Sequence, residues 1–235
     1  MPAGTHGGNR EVLVVSADRH GKQTEVYDGI ELSLNARFGG RGRLAGGVST
    51  GHTAYDVCAV VDSPSVVTTT QPMTGQQPLF CQYEMPWRGQ TQVKLNGSYP
   101  LPWDLDVSGV FQNLPGIPIT ASYGATNAEI RSTLGRNLGQ CGTSATCTAT
   151  VVVNNLYEPN TRFAERLTQF DVRLTKNVKV GHARVQGMFD VYNLFNASTV
   201  LALNNRYSVT GTNAWLQPTS ILAGRLFKFG VQLEY

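Results

Sequence analysis

The chain has 235 residues, of which 41% are hydrophobic and 15% are charged, and its formal net charge is +3. No segment reaches the roughly 20 consecutive apolar residues of a membrane-spanning helix, which excludes a helical membrane protein. The small net charge leaves no electrostatic footprint for nucleic acid. With 25 glycines and many Thr, Ser and Asn residues, the composition favours strands and turns over helices.

The first predicted strand covers 24–38 and alternates between an apolar and a polar parity. Glu31 and Arg37 lie on the polar parity. The apolar parity, interrupted by Asp28, consists of Val26, Ile30, Leu32, Leu34, Ala36 and Phe38. This period of two is typical of a strand with one apolar and one polar face. A glycine-rich turn at 39–42 leads to a second predicted strand at 43–53.

Two further strands are predicted at 91–99 and 103–112, joined by a tight turn at 100–102. Tyr99 and Trp103 flank that turn, where an interfacial aromatic girdle would lie in a membrane barrel. The charged residues on the polar parities of this hairpin are Lys94, Asp104 and Asp106. Asp104 and Asp106 would share one strand face about 7 Å apart, and we interpret them as polar lining rather than as an acid–base pair.

Three strands are predicted in the second half of the chain, at 164–176, 182–195 and 220–235. The same alternation places charged residues on their polar parities, namely Asp171, Arg173, Arg184, Asp190 and Lys228. The first four of these would form a charge ladder between neighbouring strands. The segment 11–17 is a weaker candidate for an eighth strand at the N-terminal edge.

The connections between the predicted strands alternate between short and long, and the long ones cover about 54–90, 113–163 and 196–219. Antiparallel transmembrane barrels show this alternation, with short periplasmic turns and long extracellular loops. The fold class expected from the sequence is therefore all-β, a transmembrane β-barrel segment of seven to eight antiparallel strands. One domain would span 1–235, with 1–23 as a poorly defined edge, polar parities facing a lumen and the C-terminus in the periplasm.

The four cysteines fall into two pairs within predicted loops: Cys58 and Cys81, and Cys141 and Cys147. Their positions favour structural disulfides formed in an oxidising compartment, with free buried thiols as the alternative. We predict no metal site and no cofactor, because no CxxC or HxxxH spacing occurs. No phosphate-binding GK[ST] loop occurs, and the GxSxG spacing at 47–51 lies within a predicted strand rather than at a strand-to-helix elbow, so we do not expect an enzyme.

Two stretches of the chain resemble segments of the TonB-dependent receptors. Within that family, the whole chain is similar to the C-terminal third of the barrel of the Oar-like members. The segment 189–196, FDVYNLFN, resembles the penultimate-strand signature, and 224–235, GRLFKFGVQLEY, resembles the last strand. The resemblance implies an outer-membrane barrel of about 22 strands that is plugged by a globular domain and works with the TonB complex in nutrient uptake. It also implies that the barrel-assembly machinery reads the last strand through Phe227, Phe229, Val231, Leu233 and Tyr235.

The N-terminal region shows neither a signal peptide, nor a plug, nor a TonB box, so we expect the chain to be a fragment of a longer receptor. Its partners would then be outer-membrane lipid, the assembly machinery and a small-molecule or oligomeric ligand. Two alternatives remain open from the sequence. One is a small self-standing barrel with a structural or adhesive role, and the other is a soluble β-sandwich binding module.

Overall fold

A computed structural model of the protein describes residues 22–58, 80–144, 146–208 and 214–235. The candidate strand at 11–17 lies outside these ranges. The strands in chain order are β1 Thr24–Phe38, β2 Gly42–Asp56, β3 Gln82–Met85, β4 Gln92–Leu101, β5 Leu105–Leu114, β6 Tyr123–Thr126, β7 Thr150–Val153, β8 Leu167–Val180, β9 Ala183–Tyr192, β10 Val200–Leu203, β11 Pro218–Ile221 and β12 Leu226–Glu234. Helix α1 is Trp87–Gln90 and helix α2 is Asn127–Leu134.

One large antiparallel sheet contains seven strands in the order β1-β2-β4-β5-β8-β9-β12, with β3 added alongside β2. These seven correspond to the seven predicted strands, so the expectation of an antiparallel all-β chain is confirmed. Two small hairpins, β6–β7 and β10–β11, form separate two-stranded sheets. None of the helices in the described ranges has the length and apolarity needed to cross a membrane.

The strand bounds differ from prediction mainly where a turn begins or ends. β4 runs through Pro100 to Leu101, and the turn that follows consists of Pro102, Trp103 and Asp104. β9 ends at Tyr192, so the last part of the predicted strand 182–195 is a turn. β3 and α1 lie within a segment that we expected to be a loop.

The two ends of the sheet are built differently. The connections after β1, β4 and β8 are short turns, at 39–41, 102–104 and 181–182, and all three lie at the end that we call the short-turn end. The long connections lie at the opposite, long-loop end. β1 and β12 form the two edges of the sheet and are not paired with each other, and both run toward the short-turn end.

The cross-strand register sorts the side chains of the sheet into an apolar face and a polar face, because directly opposed residues point to the same side. One mostly apolar row crosses the whole sheet through Ala36, Leu44, Gly97, Gly109, Val172, Val191 and Phe227. A neighbouring row runs through Tyr99, Val107, Leu174, Phe189 and Phe229, and Tyr99 stacks on Phe38 of β1. The alternation seen in each strand is thus continuous from edge to edge.

The apolar face of the sheet is exposed. Leu32 is 67% exposed, and Phe229 and Val231 are each 78% exposed. The buried hydrophobic residues of the described ranges are only Val57, Ala121 and Cys141. Within these ranges no second layer covers the apolar face, as a soluble sheet would require.

Candidate functional site

The polar face carries a row of charged and hydroxyl side chains near the short-turn end. Following the register from β1 to β12, the row contains Arg37, Arg43, Ser98, Ser108, Arg173, Asp190 and Lys228. We call it the charged row. The alternation within each strand predicts which residues share this face, but not which of them stand opposite one another. The row therefore appears only once the strands are paired.

Asp190 and Arg173 form the strongest ion pair of the charged row. Nε of Arg173 donates to Oδ1 of Asp190 at 2.5 Å, and its second guanidinium nitrogen donates to Oδ2 at 3.0 Å. The Asp190 side chain is 5% exposed, whereas that of Arg173 is 44% exposed. Lys228 stands opposite Asp190 on the other side. A carboxylate in this bidentate arrangement fixes the register of two neighbouring strands as well as neutralising charge.

The remaining members of the predicted ladder occupy separate places. Arg184 stands opposite Glu234, with 4.0 Å between its guanidinium and the carboxylate. Asp171 accepts hydrogen bonds from the side chain of Gln169 at 2.9 and 3.0 Å instead of pairing with an arginine. The predicted ladder is thus correct for Arg173 and Asp190, and wrong for Asp171 and for Arg184, which stands opposite none of the other three.

Three more predicted residues lie on the polar face outside the charged row. Glu31 stands opposite Ser49, and Lys94 stands between residues 47 and 112. Asp106 accepts a hydrogen bond from the side-chain amide of Asn177 at 3.1 Å. Each has the orientation that its parity predicts.

The predicted pairing of Asp104 with Asp106 on one strand face is wrong. Asp104 belongs to the turn before β5, and its φ of 55° follows a φ of 63° at Trp103. Two successive residues with positive φ make the tight reversal that this turn needs, which removes both from the strand alternation. Trp103 is 79% exposed at the tip of the turn, while Tyr99 stacks on Phe38 with 5.8 Å between ring centroids.

A buried asparagine that no sequence pattern marks as a site residue connects three strands at the long-loop end. Asn193 is 2% exposed and has a φ of 51°. Its side-chain amide donates to the carbonyl oxygens of Ala197 and Ala223, each at 2.8 Å, and its Oδ1 accepts from the Ala197 amide at 2.9 Å. Its own backbone N–H donates to Oδ1 of Asp171 at 2.7 Å. The second half of the segment 189–196, from Asn193 onward, therefore forms a turn that connects β8, β9 and the approach to β12.

Both disulfides lie at the long-loop end. Cys58 is bonded to Cys81, with 4.6 Å between their Cα atoms, just beyond the paired ends of β2 and β3. Cys141 is bonded to Cys147, with 5.6 Å between Cα atoms, in the connection between α2 and β7. The structure thus supplies the connectivity that the sequence left open.

Aromatic residues at the long-loop end pack on one another. Tyr55 of β2 and Tyr83 of β3 stack with 4.8 Å between their centroids. Trp215 lies edge-on to Tyr157 at 6.3 Å and to Tyr207 at 6.1 Å. The Trp215 indole N–H also donates to the Thr120 carbonyl at 3.0 Å, and the Arg88 guanidinium lies 5.3 Å from the centroid of the Phe163 ring. The described parts of the three long connections therefore contact one another in one layer.

Helix α2 begins with a capping box in that layer. The Glu129 carboxylate accepts from the Tyr123 hydroxyl at 2.5 Å and from the Thr126 amide at 2.7 Å, while the Thr126 hydroxyl accepts from the Glu129 amide at 3.3 Å. These hydrogen bonds lower the pKa of Glu129 below its ordinary value, and the hydrogen bond from Tyr123 makes the largest contribution. The helix start is therefore stabilised by the ionised carboxylate.

The pH dependence of this helix start follows from the direction of the shift. Because the folded pKa is the lower one, the stabilisation is present above the unfolded carboxyl pKa, about 4.3, and is lost as the pH falls through the folded pKa. We expect amide exchange at Thr126 and Glu129 to accelerate in that acid range, and Glu129→Gln to remove the pH dependence. Glu158→Gln, in the same connection, is the matched control, and an unchanged acid profile in Glu129→Gln would contradict the assignment.

The last strand presents its predicted apolar side chains on the apolar face. Phe229 stands opposite Phe189 with 5.0 Å between centroids, and Phe227 stacks on the same ring at 6.0 Å. The five predicted residues are all highly exposed: Phe227, Phe229, Val231, Leu233 and Tyr235. The outer backbone edge of β12 has no partner among the described strands.

Within the described ranges no three His, Cys, Asp or Glu side chains come close enough to hold a metal ion. No protein-family model matches the sequence, and none of the curated proteins compared with it is significantly similar. The features of the chain that bear on its function are therefore the two faces of the sheet and the layer of long connections.

Proposed function

We propose that the chain forms part of the barrel wall of an outer-membrane receptor of the TonB-dependent kind, which takes up a nutrient. In this proposal the apolar face contacts lipid, the polar face lines the lumen and the loop layer meets the ligand outside the cell. The observation that carries the proposal is the continuous, exposed apolar face. The resemblance of 189–196 and of the last strand to this family supports it.

The exposed apolar face argues against a soluble protein on energetic grounds. Each apolar side chain left in water forgoes about 25 cal/mol for every Å² that it could have buried. Patches of this kind on soluble proteins are normally covered by a partner or a second layer. Lipid removes the same surface from water without a second protein layer, and a wet lumen suits the charged row.

Among the described strands, the outer edges of β1 and β12 have no partner, which supports a place for this sheet in a larger barrel. Backbone groups that remain unpaired in hydrocarbon cost several kcal/mol each, so the outer edges of β1 and β12 need partner strands in a membrane. Neighbouring strands would supply those partners during assembly, with the exposed aromatic residues of β12 as the surface read by the assembly machinery. Coupling to the TonB complex would depend on other parts of such a receptor.

Adjacent residues of β12 provide a direct test of the face assignment. In lipid vesicles whose acyl chains carry bromine, Phe229→Trp is expected to add fluorescence that bromine quenches strongly. Lys228→Trp, on the polar face, is expected to add fluorescence that bromine barely affects. The native tryptophans are the same in both variants, so the difference reports the new side chain alone.

Two outcomes would contradict the proposal. Equal quenching of the two variants would mean that lipid does not distinguish the faces. A chain that is a monodisperse, folded monomer in buffer without detergent would show that the apolar face is compatible with water, and would favour the soluble binding module.

A further inference from the structure

Three arginines meet on the polar face at the short-turn end, at the beginning of the charged row. Arg37 of β1 stands directly opposite Arg43 of β2, and Arg41 lies in the turn between them. Together with Ser98 and Asp106 they line a groove of about 340 Å³. We call this the arginine groove.

The three guanidinium groups differ from the other arginines of the sheet in having no carboxylate partner. Arg173 is neutralised by Asp190, and Arg184 lies 4.0 Å from Glu234. Among the described residues, no carboxylate lies within 4.0 Å of the guanidinium of Arg37, Arg41 or Arg43. Asp106, the acidic residue on the groove wall, is instead engaged by Asn177.

This arrangement is unfavourable for the empty protein. Like charges directly opposite one another on neighbouring strands repel, since their Cβ atoms are only about 5 Å apart. A turn that needs only glycines for its reversal gains nothing structural from a third cation at Arg41. The clustering is therefore better explained by a ligand than by the stability of the hairpin.

We propose that the arginine groove binds a compact oxyanion of two or more negative charges, carried on phosphate or carboxylate groups. Guanidinium groups offer paired N–H donors that match both kinds of group in bidentate fashion. The hydroxyl of Ser98 adds a neutral donor to the wall. The volume of the groove is at the lower end of the range for small-molecule sites, about 300–1,000 Å³, which suits a small anion.

The proposal goes beyond the proposed function and does not depend on it. Strands β1, β2, β4 and β5 of this chain build the groove by themselves, so neither barrel closure nor lipid is needed for its geometry. Its failure would leave the lipid-facing assignment intact, and the quenching test on β12 does not involve it.

The test is calorimetric titration of the full chain, folded in detergent micelles, with inorganic pyrophosphate and with citrate. We expect both to bind at low salt and to weaken as salt rises, and the tighter of the two identifies the phosphate or the carboxylate source. Arg37→Gln with Arg43→Gln is expected to weaken binding by at least about tenfold, because two charge-assisted contacts are lost. Arg184→Gln, an arginine on the same face and end, should leave the affinity unchanged.

A second measurement distinguishes a binding role from a structural one. Without ligand, Arg37→Gln should raise the thermal midpoint, because it removes the repulsion from Arg43, and pyrophosphate should no longer raise it further. A lowered midpoint would mean that Arg37 serves the fold. Absence of binding by the folded wild-type chain, or equal binding by the double variant, would overturn the proposal.

Discussion

Asn193→Ala is expected to lower the free energy of unfolding by about 3 kcal/mol or more, the largest effect of any single substitution considered for this chain. The substitution removes three side-chain hydrogen bonds and leaves the carbonyl groups of Ala197 and Ala223 without the amide donor of Asn193. It also places alanine at a φ of 51°, a left-handed conformation that asparagine tolerates better than alanine because its side chain can hydrogen-bond locally.

Asn193→Gly separates the two contributions, because glycine tolerates the positive φ but lacks the amide. We expect Asn193→Gly to be more stable than Asn193→Ala and less stable than the wild type. Asn193→Asp should resemble alanine, since a carboxylate would face two carbonyl oxygens. Chemical unfolding in detergent micelles, followed by tryptophan fluorescence, measures all three. If Asn193→Ala unfolds with the wild-type midpoint, the turn does not hold β8, β9 and β12 together.

Asp190→Ala should produce the second largest decrease in the free energy of unfolding, about 2 kcal/mol. This value lies between those for breaking exposed and buried ion pairs. The substitution leaves the guanidinium of Arg173 without its bidentate partner. It also removes the negative charge that lies between Arg173 of β8 and Lys228 of β12. Asp190 is nearly inaccessible, so water replaces its carboxylate poorly. The effect should grow at low salt, because the remaining cations then repel one another more strongly.

Asp106→Asn is the matched control for Asp190→Ala, since Asp106 lies on the same face without an arginine partner, and its effect should be small. In a double-mutant cycle, Asp190→Ala combined with Arg173→Gln should cost less than the sum of the two single changes. Strict additivity would mean that the pair seen in the structure contributes no coupling energy.

Most of the sheet could be predicted because each strand carries its own signal. Alternation with a period of two needs no knowledge of neighbours, so β1 was predicted with its observed bounds and five of the other main strands to within about four residues. The last strand was predicted from 220, but β12 begins at Leu226 because Pro218–Ile221 pairs with β10 instead. The short elements of the long connections, among them β3 and α1 with 4 residues each, are too short for a period to stand out. β3 is defined instead by its pairing with β2, next to the disulfide of Cys58 with Cys81.

For the candidate site, the sequence predicts on which face of each strand a side chain lies, but not which side chains are neighbours. Parity assigns Arg173, Asp190 and Lys228 to one face, but their adjacency is set by register, which local sequence does not encode. Trp103 and Asp104 were misplaced because a run of positive φ leaves no trace in hydropathy. Asn193 was visible as part of a family signature, yet its role depends on Ala223, 30 residues away.

The common direction of β1 and β12 limits how the sheet can close. Seven antiparallel strands form an odd set, so joining the two edges directly would create one parallel seam in an otherwise antiparallel wall. The same holds for a ring of two copies, which would contain two such seams. A fully antiparallel ring requires an odd number of additional strands: a single one gives an eight-stranded barrel, and fifteen give a wall of about 22 strands. A closed, fully antiparallel assembly that contains this sheet would therefore have an even number of strands, seven of which come from this sheet.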